Sequence, residues 1–491
     1  MTDGKTDSLA RKTFSNLAWK FAERIGAQSV KLIVSLVLAR ILLPSDYGTV
    51  ALVSVFISIL NVFIDSGLGT ALIQKKDADD TDFSTVFYFN IVVCALLYSA
   101  MFFAAPSIAK FYGSDGLVPI IRVLSVTLLI SGVKNVQQAY VSKTLIFKKF
   151  FFATLCGTLG AAVLGIFLAY KGFGVWALVA QQVFNSAVDT LALWITVRWR
   201  PSLTFSFSRL KVLFSYGWKL LVASLLHTVY MDIRSLVIGK RYSSSDLAFF
   251  NKGKEFPEFV VANINTSIDS VLLPVMSMAQ NERERLKSMT RRSIMVSSFA
   301  MWPLMSGLAA VGNTAVPLLL TEKWLPCLPY LYILCFTNGT EPLTTANLNA
   351  IRALGRSDLI LKMEMIKKTI ALAIVLCAMP FGVLAIALSG ILYNFVAIGI
   401  NTFPNKRLLG YSLGEMLRDI MPSFLISLAM FLIVYAMNFV AMNLIFRLVL
   451  QVAVGGSFYV GLSRLLRLEV FGYVSNAVAN FFKGRIIGGY K

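Results

Sequence analysis

Residues 19–40 read WKFAERIGAQSVKLIVSLVLAR. From Ile25 onward the run is apolar enough for a membrane-spanning helix, yet Lys20, Glu23, Arg24 and Lys31 sit in or beside it. A charge at the centre of a bilayer costs roughly 2.5–3.5 kcal/mol on insertion scales, so a helix that met only lipid would not carry four. At 100° per residue, Lys20, Arg24 and Lys31 fall within about 40° of one another. Gln28 lies on the flank of that face, and Ile, Val and Leu occupy the other side. The helix therefore carries a cationic stripe. Such a stripe is tolerable where it lines water or meets an anion. Glu23 stands outside the stripe, as a local partner for Lys20 or Arg24.

The rest of the chain has the same character. It has 491 residues, 57% hydrophobic and 14% charged, against about 25% charged in soluble domains. Apolar runs long enough to span occur at 14–39, 47–73, 83–109, 117–141, 150–170, 174–197, 210–239, 246–274, 290–312, 325–350, 359–379, 382–402, 417–437 and 442–463. The expected fold is an all-α integral membrane protein of 14 transmembrane helices. The formal net charge of +21 would suggest nucleic acid in a soluble protein. Here Lys and Arg concentrate in one alternate set of loops, which places that set and both termini in the cytoplasm and excludes nucleic acid as the reason. The five cysteines lie in apolar stretches without a CxxC pair, and read as buried thiols rather than disulfides or a metal site.

A repeat organises the spans. Trp19-Lys20, Ser45-Asp46 and Ile64-Asp65-Ser66 recur as Trp218-Lys219, Ser245-Asp246 and Ile268-Asp269-Ser270, at offsets of 199, 200 and 204 residues. Six helices separate the copies, so both have the same orientation. Two pseudo-symmetric six-helix lobes follow, 1–205 and 206–405, with two further transmembrane helices over 406–465. Such lobes can rock about a central cavity, which suits a transporter. Residues 466–491 form an amphipathic cytoplasmic tail, read either as an interfacial helix on anionic lipid or as a frayed basic end.

The repeat also pairs the charged faces. In WKLLVASLLHTVYMDIR (218–234), Lys219, His227, Tyr230 and Arg234 share a face about 80° wide. With Lys20, Arg24 and Lys31 they suggest a shared basic cavity, to which Arg122, Lys134, Lys252, Lys254, Lys367 and Lys368 can add. Snorkelling to an interface is the competing reading for Lys20, Lys134 and Lys254. Pairing with Glu23, Asp65 or Asp232 is the competing reading for Arg24, Lys31 and Arg234. Asp65, Asp232, Asp269 and the sole histidine, His227, are candidates for ion coupling, and Glu255, Glu341 and Glu364 are further acids within spans. Helix capping and inter-helix hydrogen bonds are the alternative for Asp65 and Asp269. No GxSxG, HExxH or Walker sequence occurs, so the chain reads as no enzyme, with no cofactor and no metal.

ARILLPSDYGTVALV (39–53), FIDSGLGTALIQKKD (63–77) and FFNKGKEFPEFVVANINTSIDSVLLPVMS (249–277) resemble the polysaccharide-transport family of the multidrug/oligosaccharidyl-lipid/polysaccharide flippase superfamily, in particular bacterial exopolysaccharide and O-antigen exporters of the colanic-acid type. The resemblance implies a flippase that moves undecaprenyl-diphosphate-linked oligosaccharide from the cytoplasmic to the outer leaflet of the bacterial plasma membrane. It implies ion-coupled alternating access, with H⁺ or Na⁺ as the coupling ion. Substrate-facing cations would map onto Arg24, Lys31 and Arg234. Membrane lipids surround such a protein, and a polysaccharide polymerase is a conceivable partner. The main rival is a multidrug or cation antiporter of the same superfamily, which would favour an acidic or apolar cavity. A lipid II flippase and a membrane polymerase or ligase are weaker rivals, the last because no external loop is large.

Overall fold

The computed structural model of the chain describes residues 26, 28–65, 67–144 and 146–476. Lys20 and Arg24 lie outside these residues, as does the tail beyond 476. The side chains of Asp65 and Asp269 are likewise outside what is described.

The described residues are almost wholly helical and contain no strand. In hydrocarbon each backbone N–H and C=O must be satisfied within the segment, and the helix does this. A first helix, α1 (28–41), turns at 42–43 into α2 (Pro44–Asp65), with the short α3 (Leu68–Gln74) beyond it. Then come α4 (Asp80–Tyr112), α5 (Leu117–Leu124), α6 (Val126–Thr144), α7 (Phe147–Tyr170), α8 (Val175–Thr196) and α9 (Phe207–Arg241). They are followed by α10 (Ser244–Met278), α11 (Arg283–Leu320), α12 (Leu328–Gly339), α13 (Glu341–Ala353), α14 (Ser357–Ala378), α15 (Val383–Leu409), α16 (Leu413–Ala436) and α17 (Leu444–Leu465).

Among the described residues, eight helical stretches are both long and apolar enough to cross a membrane. The helices α8 and α14, also read as spans from the sequence, are not among them. Their polar residues explain this: Gln181, Gln182, Asn185 and Asp189 on α8, and Lys362 to Lys368 on α14. Two expected spans are interrupted. The run 117–141 divides at Ser125 into α5 and α6, and 325–350 divides at Thr340 into α12 and α13. Helix ends also run further than hydropathy suggests. α11 begins at Arg283 instead of near 290, because a helix continues into water wherever its end is polar.

The chain divides into two compact units, Met1–Ala248 and Phe249–Lys491. In the first, α7 lies on α8 through glycines. A Cβ on Gly157 would fall 3.0 Å from the Asp189 Cβ, one on Gly160 3.0 Å from the Phe184 ring, and one on Gly165 3.1 Å from the Gln181 Cβ. Small residues bring helix backbones together where lipid supplies no hydrophobic drive. α9 packs within this unit against α2 and α3, and Gly217 meets Gly67, just before α3, backbone to backbone.

The loop between α8 and α9 is fastened to the start of α4. Ser202 N–H donates to Ser84 Oγ (2.9 Å), Ser206 N–H to Thr85 Oγ1 (3.1 Å), and Trp199 Nε1 to Asp80 Oδ1 (3.2 Å). Asp79 caps α4 in a capping box with Asp82, and fully buried Asp82 also takes Lys75 at 2.6 Å. The Arg209 guanidinium bonded to Asp79 holds that carboxyl down at about 2. A carboxyl depressed in the folded protein contributes stability that is complete above its ordinary value near 4 and is lost as pH falls through about 2. Asp79→Ala should therefore cost about 1 kcal/mol at neutral pH, the usual worth of an N-cap. In thermal unfolding of the detergent-solubilised protein, that difference should hold from pH 7 to about 5 and close on approach to pH 2. A difference that persisted unchanged at the acid end would remove the ion pair from the account.

In the second unit α11 is the central post, packing on α12, α13, α16 and α17. Trp302 sits between Phe336 and Phe424, with the Phe424 ring 4.7 Å away. At one end of the post Arg291 grips Asp419 with two hydrogen bonds (2.8 and 2.9 Å), and Tyr411 donates to the same carboxylate at 2.7 Å. Residues 469–476 form a last described helix. Val470, Phe471 and Val474 pack there with Phe299 and Tyr459, and Arg292 lies 4.1 Å over the Tyr473 ring. The first part of the 466–491 tail is thus packed on protein. Of the five cysteines, Cys94, Cys327 and Cys335 are buried, but Cys156 and Cys377 are exposed on their helices. A thiol is apolar enough for a lipid-facing surface, so an apolar setting in sequence does not imply burial in protein.

Candidate functional site

Within the first unit, α1, α2, α7 and α8 enclose a cavity of about 400 Å³, within the usual range of small-ligand sites. Lys31, Ser35 and Leu38 reach it from α1 at spacings of four and three, which places them on one helical face. Tyr47 and Ser54 reach it from α2, Thr158 from α7, and Gln181, Gln182 and Asn185 from α8. Lys31 carries the charge: among the described lining residues it is the sole ionisable cation. Its side chain is exposed and forms no ion pair among the described residues. The wall is held in place by Tyr47, whose hydroxyl donates to the Ser35 carbonyl at 3.2 Å.

The cavity wall is rich in groups that both donate and accept. An amide offers two N–H donors and a carbonyl, and a hydroxyl offers one donor and two lone pairs. Asn185 Oδ1 is buried without a hydrogen-bond partner among the described residues, as are Gln28 Oε1 and Asn61 Oδ1 elsewhere in this unit. Unsatisfied buried acceptors are costly, and a ligand bearing hydroxyls would relieve them. One lysine adds an anion requirement, since an ammonium is a compact point charge for carboxylate or phosphate. The chemistry available is recognition of a hydroxyl-rich anion, without bond making.

The other predicted residues are distributed elsewhere. Lys134 on α6 forms an ion pair with Asp189 on α8, one turn beyond Asn185 and against Gly157. It braces the cavity wall rather than lining it. Arg122, at the end of α5, stacks 4.1 Å over the Phe102 ring. Lys252 is 3% exposed, pairs with Glu255 at 2.7 Å, and lies 5.6 Å over Trp324 in the second unit. Lys219 and His227 are exposed on α9, and Arg234 is half-buried there. Asp232 accepts a 2.6 Å hydrogen bond from Ser58 on α2, so this candidate for ion coupling is engaged between two helices of the first unit. Lys31 alone of the predicted cations lines the cavity among the described residues.

The α8 amides were missed from the sequence. The signal was present in QQVFNSAVD (181–189), where Gln181, Gln182, Asn185 and Asp189 span about 100° of one face. No group of three or more His, Cys, Asp or Glu able to hold a metal occurs among the described residues.

Comparison with known proteins agrees with this architecture. A protein family described as Polysaccharide biosynthesis protein matches residues 37–329. The teichuronic acid biosynthesis protein TuaB of Bacillus subtilis (strain 168) is 26% identical over 417 residues, covering 81% of this chain and 84% of TuaB. The lipopolysaccharide biosynthesis protein WzxC of Escherichia coli (strain K12) is 23% identical over 437 residues, 88% of this chain and 89% of WzxC. The succinoglycan biosynthesis transport protein ExoT of Rhizobium meliloti (strain 1021) is 23% identical over 335 residues, 68% of each. Among solved structures, the lipid II flippase MurJ in an inward closed conformation superposes with a TM-score of 0.75, at 13% identity, covering 92% of this chain and 98% of MurJ. An inward-facing multidrug resistance transporter of the MATE family, in the MOP superfamily, gives 0.56 at 14% identity over 80% of this chain and 94% of its own. The fold is therefore that of these multi-pass transporters, and the chain belongs to the polysaccharide biosynthesis protein family.

Proposed function

We propose that the protein is a flippase that carries undecaprenyl-diphosphate-linked oligosaccharide across the bacterial plasma membrane by ion-coupled alternating access, for surface polysaccharide synthesis. The observation that carries this reading is the Lys31 cavity, which joins one ammonium, without an ion-pair partner among the described residues, to amides and hydroxyls suited to sugar. Family membership and the names borne by TuaB, WzxC and ExoT support the substrate class. A cavity for cationic drugs would instead be acidic or apolar, and the described lining carries a lysine and amides with no carboxylate.

The test is transport by the full chain in proteoliposomes that contain labelled undecaprenyl-diphosphate oligosaccharide, read with an impermeant reagent that modifies only outward-facing sugar. Sugar exposure should change with time in vesicles that contain protein. Each lost hydrogen bond is worth about 1 kcal/mol, so Gln181→Ala, Gln182→Ala and Asn185→Ala combined should slow movement on the order of tenfold to a hundredfold. Movement no faster than in protein-free vesicles would end the proposal, and uptake of a cationic dye in its place would favour the multidrug reading.

A further inference from the structure

The second unit carries a small polar notch that has no part in the Lys31 cavity. It measures about 70 Å³ and lies between the first turns of α11 and the last described helix, 469–476. Ser288, Arg291 and Arg292 line it from α11, Glu469 and Tyr473 line it from the other helix, and Met295 and Val470 supply apolar contact. Ser288 and Arg292 are four residues apart and so share a helical face. Arg292 stacks 4.1 Å over the Tyr473 ring. Stacking fixes the guanidinium plane and leaves the N–H groups, which lie in that plane, available to an acceptor. Arg291 gives two of its five N–H donors to Asp419 and keeps the others. Neither Arg292 nor Glu469 forms an ion pair among the described residues, although both line the notch. A cation and a carboxylate that face one space without closing on each other leave room for a group bearing both charges.

The depth of the notch is that of lipid headgroups. Residues 293–320 of α11 carry no charged side chain, and Glu322 and Lys323 follow. At 1.5 Å per residue that run is about 42 Å long, which matches the roughly 40–45 Å of a bilayer with its headgroup layers included. Arg291 and Arg292 immediately precede the run, so they stand in the headgroup layer at that end of α11. Tyrosine is at home at the same level, with its ring toward hydrocarbon and its hydroxyl toward water.

Charge selects among the headgroups. Arg291 and Arg292 are set against Asp419 and Glu469, two positive charges to two negative. A net anion such as phosphatidylglycerol would lose against Glu469 part of what it gains from the arginines. Phosphoethanolamine is matched at both ends: its phosphate accepts charge-assisted hydrogen bonds from guanidinium and hydroxyl, and its primary ammonium donates to a carboxylate. Phosphocholine carries the same charges but has no N–H to donate. We propose that the notch binds the phosphoethanolamine headgroup of a bilayer lipid, with the phosphate on Arg292 and Ser288 and the ammonium on Glu469, and that this lipid fastens residues 469–476 to α11. The site stands or falls independently of what the protein transports.

The test uses the full chain reconstituted with equal parts of phosphatidylethanolamine, phosphatidylcholine and phosphatidylglycerol. Lipids that stay bound after detergent extraction are identified by native mass spectrometry. Phosphatidylethanolamine should be retained in preference to both others. Arg292→Ala should lower its retention about fivefold, and Glu469→Gln should leave phosphatidylethanolamine and phosphatidylcholine equally retained. Both side chains are exposed, and the second readout is a ratio within one sample, so a reduced yield of folded protein does not imitate it. A wild type without enrichment, or a preference unchanged in both variants, would overturn the site. Preference for phosphatidylglycerol, lost in Arg292→Ala, would make it a plain anion site and overturn the assignment to a zwitterion. Displacement of the lipid by free phosphoethanolamine would assign the notch to a soluble ligand and overturn the lipid source.

Discussion

Replacing Lys31 with alanine is expected to lower glycan export by about tenfold or more, because a charge-assisted hydrogen bond to an anion is worth roughly 1.5–3 kcal/mol and each 1.4 kcal/mol is a decade. The argument is local. Lys31 is the cation among the described residues lining the 400 Å³ cavity, its side chain is exposed, and no carboxylate among the described residues pairs with it. Removing it breaks no ion pair among the described residues, so the folded protein should be spared. The appropriate measurement is surface polysaccharide in cells expressing the variant at native level, with membrane insertion checked in parallel. Lys31→Arg should retain most of the activity, since a cation remains. Lys31→Glu should be worse than alanine, because it adds repulsion against an anionic substrate. Full export by both Lys31→Ala and Lys31→Glu would dissociate the cavity from substrate handling.

The second large effect concerns folding. Gly253 on α10 packs against the start of α12 in the second unit. A Cβ there would lie 2.9 Å from the Cys327 carbonyl oxygen, 2.9 Å from the Leu331 nitrogen and 2.8 Å from the Tyr330 Cβ. Two of these three are backbone atoms, so no side-chain rotation can make room. Overpacking typically costs about 1–3 kcal/mol, and a clash with backbone belongs at or above the upper end. The neighbouring Lys252 makes the cost larger. Its ammonium is held by Glu255 and lies over Trp324, which is fully buried, and a shifted α10 would strand that charge. Gly253→Ala should already lower the thermal midpoint of the purified protein, and Gly253→Val should abolish recovery of folded material. A wild-type melting curve for Gly253→Val would show that the two helices can separate freely.

Much of the fold could be read from the sequence because lipid imposes a simple code: long apolar helices, polar turns and a bias of basic loops. The breaks were harder. Nothing in the hydropathy of 117–141 or 325–350 marks Ser125 or Thr340, since a break in a buried helix is set by what packs beside it, as Asn394 does at Thr340. The site was legible in part. Helical periodicity set Lys31 on a polar face, and that property belongs to one helix. The destinies of Lys134 and Lys252 depend on partners far along the chain or on another helix: Asp189 is 55 residues from Lys134, and Trp324 approaches Lys252 only through tertiary packing. Periodicity cannot choose between a cation that lines a cavity and one that braces a wall. The α8 amides are different again: they are uncharged, so an out-of-place charge does not mark them as site residues.

The glycine contacts of α7 bear on how the cavity changes shape. With Gly157, Gly160 and Gly165 seated against Asp189, Phe184 and Gln181, the two helices cannot slide or separate without opening voids along their whole contact. They act as the fixed jaw of a vice. Any widening or narrowing around Lys31 must then come from the opposite jaw, α1 and α2, so spin labels placed on α7 and α8 should keep their spacing when substrate binds, while labels on α1 and α8 should not.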